Sequence, residues 1–295
     1  MGFLNNYSPL RYPGGKASIA DFFESMLLAH QIDSTGTYCE PFAGGAGVAL
    51  TLLFKRKVKN IIINDCDVCI AAFWESVLNN SEDLINLIRT TPVSIEEWEK
   101  QRMIYNEANH TGVLSAEDKL LVGFATFFLN RCNRAGILPN AGPIGGRLQQ
   151  GTYKLNARFN KDRLIQRIQK IAEVKSSIVF TSMDAKLFLD ELPNLIDTPR
   201  ANTFLYLDPP YYHNGRKLYL NFYKHKDHLE LAKKIANFDF CSWIMTYDNC
   251  QEIREIYRIF SNLEIRDLPI KYSMQQARST TEILIVPKPK ELGEK

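Results

Sequence analysis

Apolar positions follow one rhythm at both ends of this chain and another in its middle. Ile19, Phe22, Phe23, Met26 and Leu27 have helical spacing. A short strand at Thr37-Tyr38-Cys39 meets a glycine loop and then a helix through Val48–Phe54. Asn60-Ile61-Ile62-Ile63 reads as a buried strand ending at Asn64-Asp65, and the next helix carries Ile70, Phe73, Trp74 and Val77. This β-α-β-α opening predicts a mostly parallel, doubly wound sheet.

The middle departs from that rhythm. Ser94 to Glu97 and Ser115 to Asp118 have capping-box spacing, and each opens a helical pattern. The second pattern buries Leu120, Leu121, Phe124, Phe127 and Phe128. A glycine- and proline-containing loop runs from Ala135 to Gly151, and Asp162 to Val174 is helical again. Residues 76–175 are therefore expected to form a mainly helical insertion, with a loop too long to lack a function. Residues 1–75 and 176–295 form the surrounding α/β domain. Its strands resume at Ile178–Thr181, Phe204–Leu207, Trp243–Tyr247, Ile265–Tyr272 and Glu282–Val286, making seven in all. The last two are close enough in sequence to be an antiparallel pair, and the polar tail Pro287–Lys295 is expected to fray.

Two of the expected strands end in chemistry. The first runs into Glu40-Pro41-Phe42-Ala43-Gly44-Gly45-Ala46-Gly47 and the fourth into Asp208-Pro209-Pro210-Tyr211. The glycines permit a tight turn and close backbone approach to a ligand. The loop lacks G-K-[ST], so it is no phosphate-binding P-loop, and its spacing is not G-x-G-x-x-G. Such a pair suits S-adenosylmethionine (SAM) at one site and a planar amine at the other. An exocyclic amine conjugated to a ring is a poor nucleophile, and two hydrogen-bond acceptors improve it by favouring a pyramidal nitrogen. Asp208 supplies one acceptor and the Pro209 carbonyl the other, held by two prolines of fixed φ. Tyr211 offers a face for a base to stack on. The bland alternative for the tetrapeptide is a strand-end turn. Asp65 ends the second strand, where a carboxylate can bind ribose hydroxyls or simply cap the strand. Asp184 follows the third strand and is either a receptor for the cofactor adenine amine or the N-cap of the next helix.

Net charge is only +3, but its distribution is uneven. Between Asp118 and Asp162 there are no acids and seven cations (Lys119, Arg131, Arg134, Arg147, Lys154, Arg158, Lys161), so the remainder sums to −4. A local basic surface on a near-neutral chain suits a phosphate-backbone partner, although a solvated basic face needs none. Asn130, Arg131, Asn133 and Arg134 sit at a helix end before the long loop, where Arg can read guanine and Asn adenine. Lys154, Arg158 and Lys161 are expected to contact phosphates, and Arg147 to join the DNA-binding face. The six cysteines sit mostly in apolar contexts, which suits a reducing compartment. Cys66-x-x-Cys69 has no second pair, and His110, His213, His225 and His228 form no metal or triad pattern, so no metal is expected. No apolar run reaches the ~18 residues of a membrane span and the N-terminus shows no signal-peptide pattern. A cytoplasmic, nucleoid-associated monomer follows as the expectation.

The order R-Y-P-G-G-K (11–16), E-P-F-A-G-G-A-G (40–47), N-D (64–65) and D-P-P-Y (208–211) resembles the Dam-type, alpha-class N6-adenine DNA methyltransferases of the D12 family. The resemblance spans almost the whole chain. It implies a Rossmann-like SAM-dependent methyltransferase fold with a DNA-recognition insertion, and methyl transfer to N6 of a flipped-out adenine in duplex DNA, leaving S-adenosylhomocysteine. It brings Tyr12 and Lys16 to SAM and sets Asp208 at the junction with the target, beside the candidate cofactor residues Glu40, Phe42, Ala43, Gly44, Gly45, Gly47, Asp65 and Asp184. It leaves room for a cognate restriction endonuclease of bacterial or phage type. The block N-R-C-N-R-A-G-I-L-P-N-A-G-P-I-G-G matches the family's N-R-x-x-x-N-G segment only in part, which leaves the recognition sequence open. Arg278-Ser279-Thr280-Thr281-Glu282 resembles the family's C-terminal motif beside the target pocket. RNA adenine or cytosine-N4 methylation, or a non-catalytic DNA-binding regulator, are the alternatives.

Overall fold

The computed structural model describes residues 7–11, 20–112, 114–213, 223–268 and 282–289. In chain order these form α1 (Ala20–Ala29), β1 (Thr37–Glu40), α2 (Gly47–Phe54), β2 (Asn60–Asn64), α3 (Val68–Asn79), α4 (Ser81–Thr90), α5 (Ile95–Thr111), α6 (Ala116–Cys132) and α7 (Lys161–Glu173). There follow β3 (Ile178–Thr181), α8 (Ala185–Leu195), β4 (Thr203–Leu207), α9 (His225–Ala236), β5 (Ser242–Asp248), α10 (Gln251–Arg258), β6 (Leu263–Leu268) and β7 (Glu282–Pro287). The seven strands make one sheet in the order β3-β2-β1-β4-β5-β7-β6. The first five are mutually parallel, and β7 lies antiparallel between β5 and β6. This is the mixed α/β, Rossmann-like arrangement that the apolar pattern predicts. α4 is an addition: Leu84, Ile85 and Ile88 face inward from an otherwise polar helix. The sixth strand starts earlier than expected, at Leu263, and its expected end beyond Leu268 lies outside the described residues.

Alternation along the strands divides the core. Tyr38, Ile61, Ile63, Phe204 and Tyr206 face one side and pack with Phe23 and Leu27 of α1, Leu50 of α2, and Phe73 and Trp74 of α3. Cys39, Ile62, Leu205, Leu207, Trp243 and Met245 face the other and pack with helices α8, α9 and α10 through residues such as Phe188, Leu231 and Tyr257. Burial on both faces is why these strands read as unbroken apolar runs.

The segment 76–175 shares the first of these cores. Trp98, Phe124, Phe127, Phe128, Leu164 and Ile168 join the same cluster as Phe73 and Trp74. The expected boundary after residue 75 falls inside α3, which continues to Asn79. Ser94 and Ser115 cap α5 and α6 as the spacing predicts, accepting from the Glu97 and Asp118 amides at 3.2 and 3.1 Å. The Glu97 carboxylate turns instead to Gln101 Nε2, which donates to it at 2.5 Å.

Helix α6 rides close on α3 because Gly123 has no side chain. A Cβ there would stand 2.6 Å from the Ala72 carbonyl oxygen and 2.4 Å from Ser76 Oγ. The Ala72 contact is backbone, so the helices would have to part. Gly123→Ala should therefore destabilise the fold by about 1–3 kcal/mol despite its better helix propensity. Urea unfolding checks this; unchanged or raised stability would show that the α3–α6 contact is not tight.

Candidate active site

The chain leaves β1 toward β2 and β3 on one side, then returns to place β4 on the other side of β1. The carboxyl ends of β1 and β4 therefore border a topological switch point, where open α/β sheets bind ligands. Cys39 pairs with Leu205, so the Glu40 loop and the Asp208 tetrapeptide leave adjacent strands side by side.

The glycine loop is held from several directions. Gly44 takes φ 47° and Ala46 φ 48°, left-handed conformations that reverse the chain before α2. The Gly44 amide donates to Asp65 Oδ2 at 2.8 Å, and the Asp67 amide to Asp65 Oδ1 at 3.0 Å. Trp74 Nε1 donates to the Gly44 carbonyl at 2.8 Å, and Ser8 Oγ to that of Gly45 at 2.5 Å. Ala46 gives α2 no side-chain cap. Glu40 substitutes for one: its Oε1 accepts from the Ala49 amide at 3.1 Å and from the Tyr38 hydroxyl at 3.0 Å. Asn64 ties three strand ends together. Its Nδ2 donates to the carbonyls of Pro41 (2.9 Å) and Met183 (3.0 Å), and its Oδ1 accepts from Thr181 Oγ1 (2.9 Å) and the Met183 amide (3.0 Å).

The second motif is fixed by the neighbouring strands. Thr246 of β5 donates to Asp208 Oδ1 at 3.0 Å, and its hydroxyl also bonds the Tyr206 hydroxyl at 2.7 Å. Tyr211 donates to Oε1 of the buried Glu282 at 2.5 Å, which fixes the ring at the head of β7. The Tyr212 amide donates to Asp248 Oδ1 at 3.1 Å. Tyr223 meets the Phe42 ring edge-on at 5.9 Å between centroids, and couples electrostatically to Asp184 and Cys66.

The site is rich in carboxylates. Burial, and then repulsion from Asp208, pushes the Glu40 carboxyl up to about 8 despite its two hydrogen bonds. Burial, and then Asp67, pushes Asp65 up to about 7. Asp67, the cap of α3, is also raised by burial. Carboxyls raised in this way favour an arriving positive charge, which offsets the repulsion from the neighbouring acids.

The remaining sequence-predicted residues fall into three groups. Tyr12, Lys16 and Arg278 to Thr281 lie outside the described residues. Asp184 is the N-cap of α8, its Oδ1 accepting from the Lys186 amide at 2.9 Å, and its side chain remains exposed beside the site. In the basic segment, Arg134, Arg147, Lys154 and Arg158 are exposed. Two expected base readers, Asn130 and Asn133, are corrected to internal roles. Asn130 is fully buried, with its Oδ1 on the Arg11 amide (2.6 Å) and its Nδ2 on the carbonyls of Arg11 (2.8 Å) and Gly136 (2.9 Å). Asn133 accepts from Trp98 Nε1 at 2.7 Å and donates to the Ile137 carbonyl at 2.8 Å. Arg131 spends Nε on the Arg158 carbonyl (2.8 Å) and Nη1 on that of Pro9 (3.4 Å). Lys161, expected on a phosphate, instead caps the end of α4 through the carbonyls of Arg89 (2.8 Å) and Thr91 (2.7 Å). His213, expected to have no metal-like neighbours, lies with Cys250 and Glu252, their ligand atoms within 4.8 Å of one another.

Thr246, Trp74, Ser8 and Asn64's bonding role are legible only once the sheet order is known, because each acts on a segment distant in sequence. Glu282 had a signal in the Ser279–Glu282 stretch.

The model of the D12 class N6 adenine-specific DNA methyltransferase family matches residues 12–268. The chain belongs to that family, and so is a DNA adenine methyltransferase. A Type II methyltransferase, M.MjaIII of Methanocaldococcus jannaschii, is 25% identical over 209 residues, covering 68% of each chain. A crystal structure of a mutant of MtNAS aligns with 92% of this chain and 60% of its own, at 7% identity and a TM-score of 0.32. Among the described residues, no helix is long and apolar enough to cross a membrane.

Glu40 makes stability depend on pH. Its folded value lies above its unfolded one, so the folded chain keeps a proton that the unfolded chain releases. Stability should be fully present below about 4.5 and fall as pH rises toward about 8. The limiting slope is about 1.4 kcal/mol per pH unit for one proton. Glu40→Gln, which preserves the acceptor for Tyr38 and Ala49, should flatten that decline in urea titrations. An equally steep decline in the variant would assign it elsewhere.

Proposed function

We propose that this D12 family member transfers the methyl group of SAM to N6 of an adenine rotated out of duplex DNA, with the switch point as its catalytic centre. The observation that carries this reading is the Asp208 carboxylate, anchored by Thr246 on the strand beside the glycine loop. When bound, SAM supplies an electrophilic methyl group. Glu40, Phe42, Ala43, Gly44, Gly45, Gly47 and Asp65 would hold it, joined by Asp184 and, by family resemblance, Tyr12 and Lys16. Asp65 arrives with one lone pair on each oxygen already shared with a backbone amide, leaving acceptor capacity for ribose hydroxyls.

On the target side, Asp208 accepts one N6–H bond and the Pro209 carbonyl the other. The bond from Thr246 fixes the carboxylate rotamer, so the amine meets an oriented acceptor. Asp208 then takes the proton released as the new N–C bond forms. Tyr211 presents its ring to the base while Glu282 holds its hydroxyl, and no step calls for a metal. Tyr212 and His213, which follow the tetrapeptide, flank the rotated base. Residues 76–175 act as the recognition segment, with Arg134, Arg147, Lys154 and Arg158 toward the duplex. The Type II name of the archaeal relative favours a restriction–modification setting with a cognate endonuclease.

Labelled SAM offered with duplex DNA, single-stranded DNA and RNA tests the substrate. Duplex DNA should be strongly preferred, and a preference for RNA would contradict the reading. Asp208→Ala should lower turnover at saturating SAM by at least 10²–10³-fold. Thr246→Val should lower kcat about tenfold while leaving SAM affinity unchanged, because it removes one bond to a charged group. Near-wild-type turnover in Asp208→Ala would refute the assignment. Asp65→Asn should weaken SAM by about 1–3 kcal/mol in calorimetry. Unchanged affinity would reduce Asp65 to a loop anchor.

A further inference from the structure

Four arginines gather where the N-terminal segment crosses the helical region. Arg131 reaches the Pro9 and Arg158 carbonyls, and Arg167 Nη1 donates to the Ser8 carbonyl at 2.9 Å. Arg11 follows in the same segment, gripped at both its amide and its carbonyl by Asn130. Arg131 feels Arg167, Arg11 and Arg158, and Arg11 feels Arg158. Burial first, and these neighbours next, push Arg131 down to about 9. No carboxylate pairs with any of the four among the described residues, although Arg254 and Arg266 each find one. Arg11 Nη1 and Arg167 Nε are buried donors with no acceptor.

A guanidinium does not deprotonate in a protein. Four of them together, two with unmet buried donors and none paired with a carboxylate among the described residues, are costly unless an anion completes the group. Arginine suits phosphate, which accepts several of its N–H groups in a fork. The group joins residues 8–11, which precede the R-Y-P-G-G-K glycines in sequence, to the end of α6, the 155–158 turn and α7. An anion seated there would touch the catalytic domain and the expected recognition segment at once.

We infer that Arg11, Arg131, Arg158 and Arg167 form a single seat for one phosphodiester of the substrate duplex, fixing the DNA relative to the catalytic sheet. This rests on the DNA-methylation reading above. It differs from a general basic surface in one respect: the arginines share a phosphate, so their contributions overlap.

The test is the salt dependence of duplex binding, measured by fluorescence anisotropy with full-length protein. Arg158→Ala and Arg167→Ala should each reduce the log–log slope by about 0.9. The double variant should lose the same amount, not twice it. Lys154→Ala combined with Arg158→Ala, on separate phosphates, should lose about twice as much. Melting temperatures confirm folding, and Arg158→Lys should recover the slope. Single variants with the wild-type slope, or a double variant that loses two contacts, would overturn the shared seat. Inorganic phosphate provides a second arm, and should raise the melting temperature of the wild type but not of Arg158→Ala. If it does so while the DNA slopes of the variants stay unchanged, the seat is for free phosphate and the DNA assignment is wrong. A wild-type protein that fails to bind duplex DNA would instead refute the methylation reading itself.

Discussion

The carboxamide of Asn64 is the joint on which the site depends. Buried at the end of β2, it bonds the carbonyl of Pro41 after β1 and the backbone and side chain of the β3 end. Its four bonds use both donors and both lone pairs of one side chain. They bring the loops after three parallel strands into one rigid rim. Asp65 is the next residue, so the acid that holds Gly44 is positioned by the same joint. No apolar side chain could do this, because the strand ends would be left with unmet polar groups away from water.

Onto that rim the fold adds a pair of opposed electrostatic demands. On the cofactor side, Glu40 and Asp65 are pushed toward the protonated state by burial and by neighbouring acids, which favours a cationic ligand. On the target side, Asp208 is held by a hydroxyl chain through Thr246 to Tyr206, which orients it without adding charge. The two motifs leave the adjacent strands β1 and β4, so the topology sets the raised acids of one beside Asp208 of the other. The arginine cluster repeats the logic with the sign reversed, and an anionic backbone answers it.

Much of this was legible in the sequence. The glycine loop and the D-P-P-Y tetrapeptide each follow an apolar run buried on both faces, and such runs mark central parallel strands. The strands were accordingly placed within a residue or two of those observed, apart from the sixth. Polar residues in the middle segment were misjudged for a physical reason. Asn130, Asn133 and Lys161 have the composition of a DNA-reading surface, but they satisfy the open ends of helices and the turns between them. Whether an asparagine faces a base or a backbone amide depends on long-range packing, which one sequence does not display. Thr246 was invisible for the same reason: it acquires a role only because β5 lies beside β4.

The most direct measurement is the chemical identity of the product. Duplex DNA incubated with the protein and SAM is digested to nucleosides and analysed by mass spectrometry. Methylation at adenine N6, absent when Asp208 is replaced by alanine, is the predicted result. Methyl groups found instead on cytosine N4, or adenine methylation that persists at wild-type levels without Asp208, would contradict the assignment of this site.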